Sequence, residues 1–171
     1  MSKVLIGLAT ISAVAILGVQ QYQLATISED VAEIKQAFIA QTTERVSYSE
    51  SDEACLAKNI YYEAGIESDH GKYAVAQVTL NRLKTGRWGD TICSVVYSKA
   101  QFSWTLKKKL EKPNGQAWAD SQWIAHRVLG GERVPPLSEA IFYHADYVSP
   151  YWKSSVVKIQ QVGQHIFYTK I

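Results

Sequence analysis

The spacing of apolar residues changes once along this chain of 171 residues, and that change limits the folds open to it. Between residues 55 and 128 apolar side chains recur every three or four positions, the period of a helix with one buried face. From Ala140 onward they alternate in short aromatic-rich runs, the period of a strand. Helices followed by a hairpin predict an α+β domain, mainly helical with a small antiparallel sheet at its C-terminal end. The first helix is expected over residues 53–64. Asp69 is the expected cap of a second, in which Val75, Ala76, Val78, Leu80 and Leu83 form the stripe and Gly86 the stop. Asn81, a poor helix former among them, calls for a specific hydrogen bond or exposure. Thr91 caps a short third helix to Tyr97. After the Pro113-Asn114-Gly115 turn, Ala117, Ser121, Ile124, Ala125 and Val128 mark a fourth, closed by Gly130-Gly131. Residues 141–144 read as a strand, and residues 156–161 and 166–169 as a hairpin around Val162-Gly163-Gln164-His165.

Upstream of residue 53 the texture is different. Residues 4–19 carry no charge, and Lys3 and Gln20-Gln21 flank them. The run is short of the roughly twenty residues of a membrane span, and no small-x-small cleavage site follows it. Residues 1–22 are therefore expected to be an uncleaved anchor in the inner membrane, with the domain in the periplasm; a cleaved signal is the alternative. Gly7, Ala9, Thr10, Ser12, Ala13, Ala15 and Gly18 make the run weakly hydrophobic, and in composition it resembles the signal-anchor-release segments of phage endolysins. Over residues 23–52, Leu24, Ile27, Val31, Ile34 and Phe38 make two heptads of amphipathic helix. These offer a weak homodimer seam over residues 24–38, too short for a coiled coil, before a polar linker over residues 41–52. The domain is expected over residues 53–171.

Charge and cysteine content narrow the partners. Residues 1–52 carry a net charge of −3 and residues 53–171 a net +5. A mildly cationic domain suits an anionic polymer or surface, whether cell wall, lipopolysaccharide or nucleic acid. Ten Tyr, five Trp and four Phe suit a ligand that stacks on rings, sugars included, and equally an aromatic core. The two cysteines, Cys55 and Cys93, fit one disulfide in an exported domain and two buried thiols in a cytoplasmic one. The anchor favours the disulfide.

The candidate for chemistry is Glu63. It falls at the edge of the stripe made by Ala57, Ile60, Tyr61 and Ala64, so its carboxyl is half out of water. Desolvation raises a carboxyl pKa, as a general acid near neutral pH requires. Gly65 is expected to stop the helix in an unusual backbone conformation and to open a cleft there. A solvated helix-end glutamate is the plainer account of the same pattern. There is no glycine-rich phosphate loop, HExxH, paired CxxC or GxSxG. His144, Asp146 and His165 could in principle hold zinc, although packed or surface histidines are commoner, and the expectation is no metal and no cofactor.

A set of short blocks then becomes specific. Cys55-Leu56-Ala57, Ile60-Tyr61-Tyr62-Glu63-Ala64, Glu67, Gly71, residues 74–78, Leu80-Asn81-Arg82, residues 91–97, Gln101-Phe102-Ser103, residues 143–148, Pro150, Trp152 and residues 163–168 fall in the order seen in the SleB-type cell-wall hydrolases, the spore-cortex-lytic enzyme family, which the chain resembles over nearly all of residues 53–171. The chain departs from that family's Glu-Ala-Arg-Gly-Glu run, having Glu63-Ala64-Gly65-Ile66-Glu67. The resemblance implies a lysozyme-like domain that cleaves peptidoglycan between N-acetylmuramic acid and N-acetylglucosamine, typically as a lytic transglycosylase, with Glu63 as the acid and no nucleic acid as partner. Hydrolysis commonly needs two carboxylates across the bond, and Glu67 is the second candidate; a transglycosylase needs one. Glu67, Gln101, Ser103, Tyr143 and His144 are the expected sugar contacts, and Phe102 and Trp152 the expected stacking rings. The competing readings are a zinc amidase acting on the stem peptide and a non-catalytic peptidoglycan-binding module in which Glu63 is structural.

Overall fold

The computed structural model describes residues 48–171, together with residues 27, 30–33 and 35 of a helical stretch upstream. The chain divides into two compact units between Ser47 and Tyr48. The expected anchor over residues 1–22 lies outside the described residues, among which no helix is long and apolar enough to cross a membrane. Of the expected dimer seam, Ile27 and Val31 are helical and exposed; Leu24, Ile34 and Phe38 lie outside the described residues.

The second unit begins with α1, Glu50–Ala64, three residues earlier than expected. Ser49 accepts a hydrogen bond from the Asp52 N–H through its hydroxyl, and Glu50, Asp52 and Glu53 fill the first turn. Polar composition had made residues 50–52 look like linker. Acidic side chains on orphan N–H groups are instead what a helix start favours. Helix α2, Asp69–Thr85, is capped by Ser68 rather than Asp69, and Gly86 ends it at φ 65°. Helix α3, Ile92–Tyr97, starts in a reciprocal capping box between Thr91 and Ser94. Helix α4 spans Gly115–Leu129. Single 3₁₀ turns at Ser103–Leu106, Pro135–Leu137 and Tyr151–Ser155 shape the connections.

Helix α2 is buried on every side from Ala74 to Arg82, without the polar face of a surface helix, because it lies between two cores. Ala76 and Leu80 join Leu56, Ile60, Ile92, Phe102 and Ile124 in a core between helices. Ala74, Val75 and Val78 join Ala64, Leu137, Val162 and Phe167 beneath the sheet. That sheet is antiparallel in the order β1-β3-β2, with β1 at Phe142–Ala145, β2 at Val156–Val162 and β3 at His165–Lys170. A two-residue turn, Gly163-Gln164, joins β2 to β3, and Gly163 takes φ 57°, which glycine adopts without strain.

Three buried polar side chains inside this framework follow no apolar period. Asn59 donates to the Thr79 hydroxyl at 3.1 Å and accepts from the Trp104 indole N–H at 2.9 Å. Asn81 donates to the carbonyls of Leu137 and Ala140, both at 2.9 Å, which meets the hydrogen bond that its position in the helix calls for. Gln77 accepts from the Val134 N–H.

Cys55 and Cys93 form a disulfide that ties α1 to α3 across 38 residues, and Asp52 accepts from the Cys93 N–H at 3.1 Å beside it. By loop-closure entropy the bridge is worth about 4 kcal/mol. Reduction, or replacement of both cysteines by serine, is expected to lower the unfolding free energy by about that amount. Urea melts of the full chain with and without reductant measure it, and coincident melts would refute the contribution.

Candidate active site

Glu63 stands one residue before the end of α1, between the buried Ile60 and Ala64, and its side chain is half-buried. The Tyr143 hydroxyl donates to its Oε2 at 2.9 Å across a separation of 80 residues. Burial is the largest influence on the acid and pushes its pKa up. The Tyr143 hydrogen bond and the charges of Arg82 and Lys107 pull in the other direction, and the result stays above the ordinary glutamate value. Burial also holds Tyr143 well above the usual phenol range, so it remains a donor. Among the described residues, no second carboxylate is among the groups that shift the Glu63 pKa.

Neighbouring elements fix this geometry. Tyr62 stacks on Trp104 at 4.6 Å between ring centres and donates to the Glu111 carbonyl at 2.8 Å, which holds the segment containing Lys107 against the end of α1. Gly65 ends α1 as expected, but in the right-handed region at φ −58° rather than in a left-handed cap. Glycine is required there for space: a Cβ would stand 2.5 Å from the Tyr61 carbonyl oxygen.

The alternation of β1 divides the expected site residues between two faces of the sheet. Tyr143 points toward Glu63 and packs on Phe167 and on the edge of His165. His144 points the other way. It stacks on Tyr168, its Nε2 is 2.9 Å from the Tyr168 hydroxyl, and its Nδ1 is 2.8 Å from the Ala145 carbonyl. The Ala145 carbonyl can only accept, so Nδ1 donates to it, and with Nε2 on the Tyr168 hydroxyl both ring nitrogens are engaged, which leaves none for a sugar. Trp152 lies on that same outer face against Phe142, His144 and Tyr168. The structure therefore separates His144 and Trp152 from Glu63.

Glu67 is engaged by the hairpin. Its side chain is 8% exposed, and its carboxylate accepts from the Gln164 N–H in the β2–β3 turn and lies 3.8 Å from His165 Nδ1. A Cβ at Gly163 would overlap that carboxylate. Glu67 thus acts as a clasp between the α1–α2 loop and the hairpin. Phe102 is 2% exposed beneath the Arg82 guanidinium, so it offers no free face for stacking. Gln101 is half-exposed and donates to the Lys99 carbonyl, and Ser103 is exposed at the head of its 3₁₀ turn. These two remain open to a ligand. His144, Asp146 and His165 do not converge, since the two histidines lie on opposite faces of the sheet, and among the described residues no three His, Cys, Asp or Glu side chains form a metal-binding group.

Sequence reasoning missed Arg82. It is 6% exposed, its Nε donates to the Ile141 carbonyl at 2.9 Å, and its charge acts on both Glu63 and Tyr143. The signal for it was the one permanent charge between Ala74 and Leu83 of α2, a position that demands a partner. Two hollows, of about 370 Å³ between α1 and α4 and about 280 Å³ beside the start of β1, are lined by other residues and not by Glu63.

A helical domain with a small sheet that holds a carboxyl of raised pKa against a phenol, under the influence of two cations, has the features of a candidate acid–base site. The chain belongs to the Cell Wall Hydrolase family, which it matches over residues 66–168, a stretch that begins three residues after Glu63. It is 29% identical over 123 residues to the spore cortex-lytic enzyme of Oceanobacillus iheyensis, covering 70% of this chain and 42% of that protein. To that of Bacillus subtilis it is 27% identical over 122 residues, covering 70% and 38%. The chain thus matches about two fifths of the length of these curated relatives. Its fold is similar to the crystal structure of the catalytic domain of the Bacillus cereus SleB protein, with a TM-score of 0.61 at 23% identity over 72% of this chain and 94% of that one. It is also similar to the catalytic domain of the germination-specific lytic transglycosylase SleB from Bacillus anthracis, with a TM-score of 0.58 at 22% identity over 72% and 98%.

Two outcomes follow from this geometry. Tyr143→Phe removes a bond that favours ionised Glu63, so the acid holds its proton to higher pH. The alkaline limb of the pH–rate profile is expected to move upward while the maximal rate falls about tenfold, the worth of one hydrogen bond to a charged group. An unmoved limb would dissociate Tyr143 from the acid. Gly163→Ala, at a positive φ and against Glu67, is expected to cost about 1–3 kcal/mol of stability, read by thermal unfolding.

Proposed function

We infer that the domain cleaves the glycan strand of peptidoglycan at the bond between N-acetylmuramic acid and N-acetylglucosamine, as a lytic transglycosylase. The observation that carries this reading is Glu63: a half-buried carboxyl with a raised pKa, a phenol donating to it and, among the described residues, no second carboxylate among the groups that shift its pKa. Hydrolysis with inversion or retention commonly employs two carboxyl groups about 5–9.5 Å apart. The other candidate, Glu67, is engaged by the hairpin turn. One carboxyl suffices for intramolecular transfer. Glu63 gives its proton to the glycosidic oxygen as the bond from that oxygen to muramic C1 breaks. The resulting carboxylate then takes the proton of the muramic C6 hydroxyl while that oxygen bonds to C1. Product leaves as a 1,6-anhydro sugar and Glu63 is protonated again, so no water is consumed.

Membership in the cell-wall hydrolase family supports peptidoglycan as the substrate, and the likeness in fold to the germination-specific lytic transglycosylase of Bacillus anthracis is consistent with the transglycosylase outcome. The zinc amidase reading lacks support in the divergence of His144 and His165. The paired cysteines favour action outside the cytoplasm, with residues 1–22 as the inner-membrane anchor, in the setting of a phage endolysin or a bacterial envelope hydrolase.

Digestion of purified sacculi by the full chain, followed by mass spectrometry, tests the reading. Anhydro-muropeptides are the expected product; reducing-end muropeptides would make the enzyme a hydrolase, free stem peptides an amidase, and intact polymer a binding module. Glu63→Gln is expected to slow release by about 10²- to 10⁴-fold, the usual share of a general acid. Activity that survives this change would remove Glu63 from the mechanism.

A further inference from the structure

Arg82 is an expensive residue to keep where it stands. A guanidinium carries its charge at any working pH, and taking it out of water is costly unless its donors are matched. Here the side chain is 6% exposed, and Nη1 is buried without a hydrogen-bond partner. Its one backbone contact is from Nε to the Ile141 carbonyl, two residues before Tyr143. The rings of Phe102, at 4.9 Å, and Trp88, at 5.4 Å, cover it and supply weak cation–π attraction. No carboxylate forms an ion pair with it among the described residues, and the one acid on which its charge acts is Glu63.

We propose that Arg82 is a positioning residue whose buried positive charge receives Glu63 as it becomes a carboxylate, stabilising the ionised intermediate state and readying it to remove the second proton. This rests on the acid-then-base reading of Glu63. While Glu63 is protonated the site carries an unbalanced guanidinium. Once the proton has gone to the glycosidic oxygen, the new carboxylate and the guanidinium neutralise one another without importing water or a counter-ion. A site arranged in advance for the charge that appears during reaction lowers the barrier without reorganising. The charged and titratable groups facing Glu63 are Tyr143 from β1, Arg82 from α2 and Lys107 from the segment after the 3₁₀ turn. Tyr143 is neutral and Lys107 is exposed, so Arg82 is the cation that solvent screens least.

The test is a pH–rate profile of muropeptide release from purified sacculi by the full chain, for wild type, Arg82→Gln, Arg82→Lys and Glu63→Gln, each checked for folding by thermal unfolding. Removing a cation makes ionised Glu63 harder to reach, so Arg82→Gln is expected to move the alkaline limb to higher pH and to lower the maximal rate about 10- to 100-fold. Arg82→Lys is the discriminating variant, because a buried ammonium can lose its proton. It is expected to follow wild type at acid pH and to fall toward Arg82→Gln as pH rises, which a packing role would not produce. If Arg82→Gln does not fold, Arg82→Met, which fills the slot between Trp88 and Phe102, takes its place. A folded variant with the wild-type limb, or an Arg82→Lys profile parallel to the neutral variant at every pH, would overturn the proposal. Failure of the underlying reading is distinguishable: a wild type that releases no muropeptides, or a Glu63→Gln as active as wild type, removes the acid itself. An active wild type and an inactive Glu63→Gln leave Arg82 alone on trial.

Discussion

The geometry of the site depends on how the strand region is fastened to helix α2. Asn81 donates to the carbonyls of Leu137 and Ala140 and Arg82 donates to that of Ile141, each at 2.9 Å. Three carbonyls leading into β1 are thereby satisfied by two adjacent side chains of one buried helix. Each bond is worth only about 1 kcal/mol net, but a buried carbonyl left without a partner costs about 1–3 kcal/mol. The approach to β1 is therefore held at one distance from α2. Tyr143 follows two residues later, and that distance brings its hydroxyl to Glu63.

The same fastening sets the surroundings of a half-buried carboxyl. A carboxyl at the edge of an apolar stripe loses solvation wherever the fold places it, which would alone produce an inert protonated group. The phenol of Tyr143 and the charges of Arg82 and Lys107 oppose that loss. Because desolvation is the larger influence, the group remains an acid that can give its proton, while its neighbours keep the ionised form accessible. Glu67 follows a different course four residues on. It closes the loop between α1 and α2 onto the β2–β3 turn, where Gly163 leaves room for it. Two glutamates close in sequence are thus held differently, one by a phenol from β1 and one by a backbone N–H of the hairpin turn.

Much of the framework could be read from the chain before any fold was known. The change from helical to alternating spacing located four helices and a hairpin, and Gly86, Thr91 and Gly163 marked their stops and starts. The clearest boundary error lay at residues 50–52, where acidic composition belonged to a helix start and looked like linker. The cap of α2 was displaced by one residue because Ser68 and Asp69 are both able to serve, and only backbone geometry chooses between them. Among site residues, Tyr143, expected as a sugar contact, donates to Glu63, whereas His144 and Trp152 lie on the other face of the sheet and Phe102 is buried, since adjacent strand residues face opposite ways and a buried phenyl ring resembles an exposed one in sequence.

Local physics thus determined where the helices and strands lie, that the cysteines were able to pair, and that Glu63 sits at the margin of an apolar face. These properties depend on near neighbours, whose spacing the sequence displays directly. Tertiary structure alone decided that a phenol 80 residues away donates to that acid, that the charge of buried Arg82 acts on it, and that Glu67 turns to the hairpin. Each is a long-range pairing fixed by how α2 and the sheet pack, and no local period or propensity encodes the partner.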